Sequence, residues 1–499
     1  MPYDFDVLVI GSGAGGATFA SACALAGKRV LLLERGRRYV ADGRVHDERA
    51  TLIEKQPYSD QTVRINGRPG RPYVGGGLGG GTALFGAALL RPSPGDFHPG
   101  QYYGERLPRA VWDWPIDYEV LEPHYTQAER LFGVAGSGAD DFGPLGKPRQ
   151  GFPGEALPVR PINRQLMTAN RAFGLKPFRL PLAIDPRRCL RCAACAGYLC
   201  PTGARRSAAQ LVDGGSGGNP LPQTMTNVEA RSFGRDGAGR VDGVHVLNRS
   251  TGRPAFYRAR RYALAGGAIG SPLLLLRSGM GGPLVGRHYM FHLSPIVAGI
   301  FPRRTGGEET FVKQVGFADY YFGTKRYPHK LGLIQSLPVP GPLMTAKAGG
   351  RHLPRGLIQL LRGRMLPLAG IVEDLPNPAN RVSLAPDGGA ELRHSFRAYD
   401  VERGRQLGRL MRQILKRAGA LFCLSRPFPS GEHVAHQCGT LRFGTSPADA
   451  VADPDCRLFG HPNVFVVDGS IFPTSLGVGP ALTIIANALR VARVVAGEV

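Results

Sequence analysis

Apolar residues at the start of the chain follow the period of a strand, then of a helix, then of a strand again. Residues 5–10 and 29–33 are apolar runs typical of buried parallel strands. Between them, the turn at 11–16 (GSGAGG) opens an apolar segment of helical length, for which Gly27 is a suitable stop. The pattern therefore predicts a β-α-β unit at residues 5–36.

The glycines of this unit predict a dinucleotide site. Gly11 permits a tight turn, Gly13 lets a diphosphate approach the backbone at the positive end of the helix, and Gly16 allows close packing of helix on strand. Glu34 follows the second strand, where its carboxylate can accept the hydroxyls of an adenosine ribose. An ordinary α/β crossover is the weaker alternative, and this stretch alone leaves both FAD and NAD open.

Two later segments have the same character. A strand at 262–264 leads through Gly266 into a helix, and a buried strand at 463–467 ends in Asp468. A long apolar helix then starts after Gly479. Because ligands gather at such strand and helix ends in α/β domains, these segments are expected to return to the sheet of the nucleotide unit.

The segment between them, 291–435, combines strand-like alternation with a helix at 404–420. A further pair of strands is predicted at 224–247, with a turn at 236–237. The 291–435 pattern predicts a second domain of α+β type, built on an antiparallel sheet. A chain of 499 residues is long enough for two intimately built domains.

Two amphipathic segments predict helices with a defined buried face. The face expected in 121–134 consists of Leu121, Tyr125, Ala128 and Leu131. Segment 354–368 predicts a helix on the core, with a short basic helix for surface binding as the weaker alternative. The residues expected on the core there are Leu357, Leu360, Leu361 and Met365.

Six glycines among seven residues lie at 75–81, after a polar stretch (37–73) that predicts an irregular excursion over the surface. Glycine offers no side chain to a core and costs backbone entropy, so this run suits a chain that lies against a flat ligand. A flexible linker is disfavoured because the apolar residues Leu84 and Phe85 follow at once.

Charge narrows the classes of partner. The net charge is +24, from 62 Lys and Arg against 38 Asp and Glu. The basic residues are dispersed and no nucleic-acid-binding motif is present, so nucleic acid is disfavoured. The remaining interpretations are a solvated arginine-rich surface, an anionic substrate, or contact with an acidic carrier protein or a membrane surface. With no long apolar span and no basic signal-like start, a cytoplasmic location is expected.

Four cysteines, followed by Pro201, have the spacing C-x2-C-x2-C-x4-C-P: Cys189, Cys192, Cys195 and Cys200. The run is one residue longer than a ferredoxin-type run, and one such run does not supply the ligands of two clusters. An iron–sulfur cluster or a zinc ion is one interpretation. Thiols or a disulfide that shape a loop are favoured, although cytoplasmic reduction weighs against a disulfide. The other cysteines, Cys23, Cys423, Cys438 and Cys456, are expected to be packing residues, and Cys438 could also contact substrate.

Nearly the whole chain resembles the glucose-methanol-choline (GMC) family of FAD-dependent oxidoreductases. The segments that carry this resemblance are 11–16 with Glu34, 74–97, 264–279, 284–293 and 373–384. The most specific are HQCGTLRFG at 436–444 and VFVVDGSIFPTSLGVGPALTIIANALR at 464–490.

The resemblance implies an α/β fold with a discontinuous FAD domain and an α+β substrate domain laid over the flavin. The expected segments are 1–160, 223–290 and 436–499 for the FAD domain, 161–222 for an insertion with the four cysteines, and 291–435 for the substrate domain. The residues that it assigns to FAD are Gly11, Gly13, Ala14, Gly16, Glu34, Arg35, Gly80, Gly81, Thr82, Gly266, Asp468, Gly469, Pro480 and Ala481.

The resemblance also implies oxidation of an alcohol carbon, in which a base takes the hydroxyl proton as hydride passes to flavin N5. His436 corresponds to that base, and an imidazole with a pKa near ~6.5 suits the task. The other histidines considered for this role, with less support, are His433, His288 and His292.

This chain departs from the family at two positions. Gly479 stands where the family often has Asn or His, and Phe85 where many members have a polar residue. Either Gln437 or a substrate-domain residue supplies the missing contact, or the chemistry has changed.

The predicted substrate is a sugar, a glycoside or a secondary-metabolite alcohol, with oxygen or another compound as electron acceptor. The alternatives are a lyase, isomerase or light-driven flavoprotein, and an electron-transfer flavoprotein with an iron–sulfur cluster.

Overall fold

The computed structural model describes residues 3–40, 46–214, 220–347, 353–426 and 436–498. Its helices are α1 (Ala14–Leu25), α2 (Gly100–Tyr103), α3 (Tyr118–Leu131), α4 (Pro161–Arg171), α5 (Gly267–Arg277), α6 (Pro342–Thr345), α7 (Arg355–Arg362), α8 (Ala398–Arg417) and α9 (Ala481–Glu498).

The strands are β1 (Phe5–Ile10), β2 (Val30–Leu33), β3 (Val63–Ile65), β4 (Arg68–Gly70), β5 (Ala135–Gly136), β6 (Gly154–Glu155), β7 (Phe178–Arg179), β8 (Gln223–Met225), β9 (Val228–Arg235), β10 (Val241–Asn248), β11 (Pro254–Tyr257), β12 (Ala259–Leu264), β13 (Ile296–Ile300), β14 (Val315–Phe317), β15 (Leu333–Ser336), β16 (Met365–Ile371), β17 (Arg381–Leu384), β18 (Ala390–Arg393), β19 (Phe422–Arg426) and β20 (Val464–Val466).

A parallel sheet with the strand order β20-β12-β1-β2-β8 forms the nucleotide domain. Strand β2, the middle of β1 (7–9) and the end of β12 (262–264) are fully enclosed, which explains the apolar residues at these positions. Helix α1 packs on β1 and β2 and against α9. The predicted β-α-β unit is confirmed, and so is the return of the segments at 262–264 and 463–467 to its sheet.

The predicted strands at 224–247 are also confirmed. Strands β9 and β10 form an antiparallel hairpin that β11 extends. The carboxylate of Asp236 accepts hydrogen bonds from the backbone N–H groups of Ala238 and Arg240, which fixes the turn.

An antiparallel sheet of six strands, β19-β13-β16-β15-β14-β7, forms the second domain. Helices α4 and α8 pack together against it around Leu166, Leu407 and Met411. The α+β architecture predicted for this domain is therefore confirmed. Strand β7 and helix α4 come from the 161–222 segment, so the substrate-domain core also draws on chain outside 291–435.

A smaller sheet with the order β17-β18-β3-β4 joins two distant parts of the chain. Strand β3 pairs in parallel with β18, and Val63, Ile65 and Leu392 are buried in one cluster. The prediction that 37–73 is irregular was wrong at 63–70. The apolar alternation there is only three residues long, too short to be recognised without its partner strand.

The two amphipathic helices differ from the predicted faces. In α3, Leu121, Tyr125 and Ala128 are buried as predicted, whereas Leu131 is 37% exposed. The larger correction concerns α7, in which Leu357 is 39% and Leu360 49% exposed. Leu361 packs on the core as predicted, and Met365 is buried there too, but in β16 rather than in the helix.

Helix α7 instead turns Ile358 and Arg362 inward. The Arg362 guanidinium donates to Pro340 O at 2.8 Å and to the Gln359 side chain at 2.7 Å, so these hydrogen bonds satisfy the buried arginine. Within the described ranges, no helix is long and apolar enough to span a membrane.

Buried charges join the nucleotide domain to the substrate domain. Lys330, which is 2% exposed, forms ion pairs with Asp96 and, at 2.6 Å, with Glu373. Tyr321 donates to Asp96 at 2.5 Å, and Tyr103 donates to Glu373 at 2.5 Å. Both oxygens of Asp96 and Oε2 of Glu373 have partners, which offsets the cost of burying these charges, whereas Oε1 of Glu373 has none among the described residues.

Removal of the ammonium from this cluster should destabilise the fold. Lys330→Met leaves two buried carboxylates without their cation, and loss of one partner of a buried pair typically costs about 3–5 kcal/mol. Chemical denaturation measures the loss. The exposed residue Lys325 provides a matched control, because Lys325→Met should change the free energy of unfolding by less than about 0.5 kcal/mol. Equal stability of the two variants would contradict this account.

Candidate active site

A cleft at the carboxyl edge of the parallel sheet is lined mainly by backbone. Residues of the glycine turn, of the 75–81 run and of the start of α5 form its walls, together with Glu34 and Arg35. The predicted residues that line this cleft are Gly11, Gly13, Glu34, Arg35, Gly80, Gly81 and Gly266.

The glycines of this cleft have room for a diphosphate. A Cβ atom added to Gly13 or to Gly81 would meet no atom within 4 Å, so both glycines face open space. Helix α1 begins at Ala14, and no side chain caps its N-terminus. Its unpaired backbone N–H groups are therefore available to an anion.

Glu34 is held in place for a ribose. One carboxylate oxygen accepts hydrogen bonds from Ser12 N at 3.1 Å and Ser12 Oγ at 2.5 Å, and the other accepts from Gly36 N at 2.7 Å. A carboxylate has about four acceptor positions, so one stays available to a ribose hydroxyl. The neighbouring Arg35 forms an ion pair with Asp60 at 2.8 Å.

The second glycine segment is bound to the first through side chains. Ser12 Oγ accepts a hydrogen bond from Gly79 N at 3.0 Å. Thr82 Oγ1 donates to Gly79 O at 2.6 Å and accepts from Ala208 N at 2.9 Å. The Thr82 hydroxyl therefore uses its proton inside the loop, which leaves the backbone of Gly80 and Gly81 on the cleft.

Asp468 joins the end of β20 to the start of α5. One oxygen accepts from Gly267 N at 2.7 Å and Ser271 Oγ at 2.6 Å, and the other accepts from the backbone N–H and, at 2.5 Å, the hydroxyl of Ser470. Burial raises the pKa of the Asp468 carboxyl. With four hydrogen bonds from the protein, it positions the cleft backbone rather than presenting a free oxygen.

The remaining predicted cofactor residues lie around the same edge. Gly16 packs α1 against Gly11 O, with no space for a side chain. Gly469 follows Asp468 and faces Gln437 O, and Pro480 directly precedes Ala481, the first residue of α9. The prediction thus selected one continuous edge of the nucleotide domain. These residues fit the requirements of an FAD site: open backbone at two glycine turns, helix N-termini and a carboxylate with a position free to accept a ribose hydroxyl.

His436 lies beyond this edge in a strained backbone conformation, with a φ of 65°. Such a conformation in a non-glycine residue is uncommon and is often found at functional sites. Its Nδ1 lies 3.0 Å from Nδ1 of His292. Burial, His292 and the positive charge of Lys313 hold the pKa of His436 well below its ordinary value, so its imidazole is neutral near pH 7.

Gly479 faces the other side of this imidazole. A Cβ at position 479 would lie 3.5 Å from His436 Nε2 and 3.6 Å from Cε1. The structure thus brings two of the three predicted catalytic positions together, and the space where the family often has a side chain is open beside Nε2. Gln437, the third, is partly buried and follows His436 directly.

His292 is the first site residue whose role the sequence did not predict. It is 2% exposed, and its Nε2 lies 2.7 Å from the carbonyl oxygen of Leu476. Burial lowers the pKa of His292 to about 4. The sequence identified it only as a weak candidate for the base. Two other histidines were considered for the base. His433 lies outside the described residues, and His288 is buried away from His436, with its pKa lowered by burial to about 3.

Lys313 is the second unexpected residue. It is 6% exposed, and its ammonium has no hydrogen-bond or ion-pair partner among the residues that the structure describes. Its Nζ packs against Gly86, leaving no space for a side chain there. Burial lowers the pKa of Lys313 to about 8. A charged residue within the apolar stretch FVKQVGF was the available signal.

The four clustered cysteines are free, partly exposed thiols. No group of three or more His, Cys, Asp or Glu side chains in the described ranges is arranged to hold a metal ion. The iron–sulfur and zinc interpretation thus has no support.

Arg205 holds this cysteine loop instead. Its guanidinium donates to the carbonyl oxygens of Ala83, Phe85 (3.0 Å), Cys195 and Tyr198 (2.6 Å). These bonds tie the loop to the end of the second glycine segment. Cys438 is completely buried in the main core, which is consistent with packing rather than substrate contact.

Comparison with known proteins agrees with this geometry. Two family models described as GMC oxidoreductase match residues 5–294 and 376–488. The chain is 32% identical to 6'''-hydroxyparomomycin C oxidase of Streptomyces lividus, across 99% of this chain and 92% of that protein. It is 30% identical to paromamine 6'-oxidase of Streptomyces fradiae, with the same coverage.

A solved structure of pyridoxine 4-oxidase from Mesorbium loti has a TM-score of 0.70 and 20% identity, and covers 98% of both chains. This likeness extends to the whole fold. The chain therefore belongs to the GMC oxidoreductase family and is an FAD-dependent enzyme that acts on alcohol groups.

Proposed function

We propose that this enzyme oxidises a CH–OH group of a glycoside or related sugar alcohol, with His436 as the base. The observation that carries the proposal is the open space at Gly479, which borders Nε2 of a neutral, partly buried imidazole. A hydroxyl placed in that space can donate its proton to the imidazole. The curated relatives named above, which oxidise paromamine and 6'''-hydroxyparomomycin C, favour an amino-sugar-containing glycoside as the substrate class.

Each residue of the site then has a task. The glycine turns and the N-terminus of α1 bind the diphosphate, and Glu34 binds the ribose. Bound FAD supplies the hydride acceptor, its N5. His436 takes the hydroxyl proton. The positive charge of Lys313 lowers the pKa of this imidazole and so keeps it unprotonated and ready to act as the base.

Loss of the imidazole should stop the reductive half-reaction without loss of the cofactor. In His436→Ala, anaerobic bleaching of the flavin absorbance by substrate should slow by about 10²–10⁴-fold, the usual contribution of a general base. Because His436 lies outside the diphosphate and ribose contacts, the purified variant should keep its FAD. Full-rate bleaching by this variant would reject the proposal.

The pH dependence should reflect the lowered pKa of His436. The base acts when deprotonated, so a lowered pKa extends activity to more acidic pH. We expect kcat/KM to stay level from pH 8 to about pH 6.5 and to fall only below that range. In Lys313→Met, the loss of the neighbouring positive charge should raise the pKa of His436 and move the acid limb to higher pH. An unmoved limb in this variant would contradict the electrostatic contact.

The absence of a side chain at Gly479 is the observation that favours a rival function, a flavoprotein with lyase, isomerase or light-driven chemistry. Turnover of a substrate without reduction of the flavin would support that function.

If Gly479 instead makes room for the alcohol, a larger side chain at this position should obstruct the substrate. Gly479→Ala and Gly479→Asn should fold and bind FAD normally, because a Cβ there makes only ordinary contact with the imidazole. Their kcat/KM should fall several-fold for a glycoside and much less for a small primary alcohol.

The electron acceptor divides oxidases from dehydrogenases. The relatives include both kinds by name, among them the fructose dehydrogenase large subunit of Gluconobacter japonicus. We propose oxygen or another small acceptor, which peroxide and dye assays distinguish. The iron–sulfur electron-transfer alternative lacks an observation in its favour. A cytoplasmic location, and contact of the basic surface with an acidic carrier or a membrane, stay predictions.

A further inference from the structure

The hydrogen bonds behind His436 form a chain with one fixed direction. It begins at the carbonyl oxygen of Leu476, which can only accept a hydrogen bond. The Nε2 of His292, 2.7 Å away, must therefore carry a proton and donate it to this oxygen. The direction of the first bond is thus set by backbone chemistry alone.

The second bond follows from the charge of His292. Its imidazole is buried, and its two ring nitrogens contact Leu476 O and His436 Nδ1 rather than a carboxylate that would stabilise a positive charge. The charged groups that act on it are Glu373 and Lys330, which are themselves paired with each other. A neutral imidazole with a proton on Nε2 has an unprotonated Nδ1, so that Nδ1 is an acceptor.

The partner of that acceptor is Nδ1 of His436, at 3.0 Å, with the two ring planes at 83°. Two nitrogen lone pairs facing each other would repel, so Nδ1 of His436 must carry the proton. A neutral His436 with a proton on Nδ1 has its lone pair on Nε2. This nitrogen is the one that borders the space at Gly479.

From this geometry we infer that His292 is a positioning residue, which fixes His436 in the Nδ1–H tautomer and thereby makes Nε2 the proton acceptor for the substrate hydroxyl. The inference rests on the proposed role of His436 and assigns the atom that performs it. His292 itself touches neither the cleft nor the space at Gly479.

The loop that bears Leu476 is rigidly held. Ser475 Oγ accepts from Asp374 N at 3.1 Å, and the carbonyl oxygen of Gly477 accepts from Leu333 N at 3.1 Å. Tyr321 packs directly on Gly477 and leaves no space for a side chain. The carbonyl oxygen of Leu476 therefore cannot turn away from His292 without breaking the contacts of the residues on both sides of it.

These hydrogen bonds also determine where the proton taken from the substrate hydroxyl stays. After His436 accepts a proton on Nε2, its Nδ1–H still donates to His292, whose Nε2–H still donates to Leu476 O. A carbonyl oxygen does not pass a proton on, so the proton taken from the hydroxyl remains on His436 until it leaves on the side of Gly479. No group is oxidised or reduced in this transfer: one O–H bond breaks and one N–H bond forms.

The tautomer can be measured directly in the resting holoenzyme. In protein labelled with ¹⁵N-histidine, the His436 resonances, assigned by their loss in His436→Ala, should show a protonated Nδ1 and an unprotonated Nε2. The His292 resonances should show the reverse arrangement. A proton on Nε2 of His436 would overturn the inference, whatever the activity of the enzyme.

Two variants distinguish the effect of losing the hydrogen-bond acceptor of His292 from the effect of changing its size. His292→Leu removes the acceptor, and anaerobic flavin reduction should slow at least about tenfold, which is less than the loss expected for the base itself. His292→Asn keeps an oxygen near the position of Nδ1 and should recover much of that loss, together with the Nδ1–H signal of His436. His124→Leu is the matched control, since His124 is a buried histidine whose charged neighbours are Arg490 and Arg493; its rate should be unchanged.

The outcomes distinguish this inference from the proposed function. If His436→Ala reduces at full rate, the base itself is wrong. If His436→Ala is impaired while both His292 variants keep the full rate, the base is right and the positioning role is wrong. Should His292→Leu fail to fold, His292→Asn and the wild-type tautomer still decide.

Discussion

Direct backbone contact between the first helix and the last strand is the constraint on which this structure depends. Gly15 of α1 lies so close to the carbonyl oxygen of Val467 that any Cβ would overlap it, and Gly16 is equally close to Gly11 O. The approach brings the helix N-terminus to the carboxyl end of β20, where Asp468 follows at once. Because the two halves of the nucleotide edge are more than 400 residues apart in sequence, the site exists only when this contact forms.

The second domain is attached to this edge through polar groups rather than through a broad apolar seam alone. Lys330, Asp96 and Glu373 are buried together, and Tyr103 and Tyr321 each donate a hydrogen bond to one of the two carboxylates. A buried ion pair contributes little net stability, but loss of one partner is costly because it leaves a buried charge unpaired. The cluster therefore holds residues from distant parts of the chain together next to the site.

The positions that the sequence singled out most clearly are glycines on the cleft and beside His436. The turn at 11–16 and the run at 75–81 were recognised because glycine has a local backbone meaning, and Gly479 because the family often has Asn or His at that position. The strand at 463–467 was likewise predicted, since a continuous apolar run indicates a buried parallel strand.

The pairing of His292 with His436 could not be predicted, because the two are 144 positions apart and no local spacing links them. Lys313 and Arg362 were missed for a related reason. A basic residue in an apolar pattern is normally assigned to the surface, and only the tertiary contacts show that it is enclosed. The same holds for the three-residue strand β3, which joins the sheet by pairing with β18 more than 300 residues away.

The contact of Tyr321 with Gly477 gives the substrate domain an influence on acid–base chemistry. Tyr321 binds Asp96 through its hydroxyl and supports the loop of Leu476 through its ring. If His292 has the proposed role, replacement of this tyrosine would loosen the acceptor at Leu476 and so disturb the hydrogen bonds behind His436, in addition to removing the contact with Asp96.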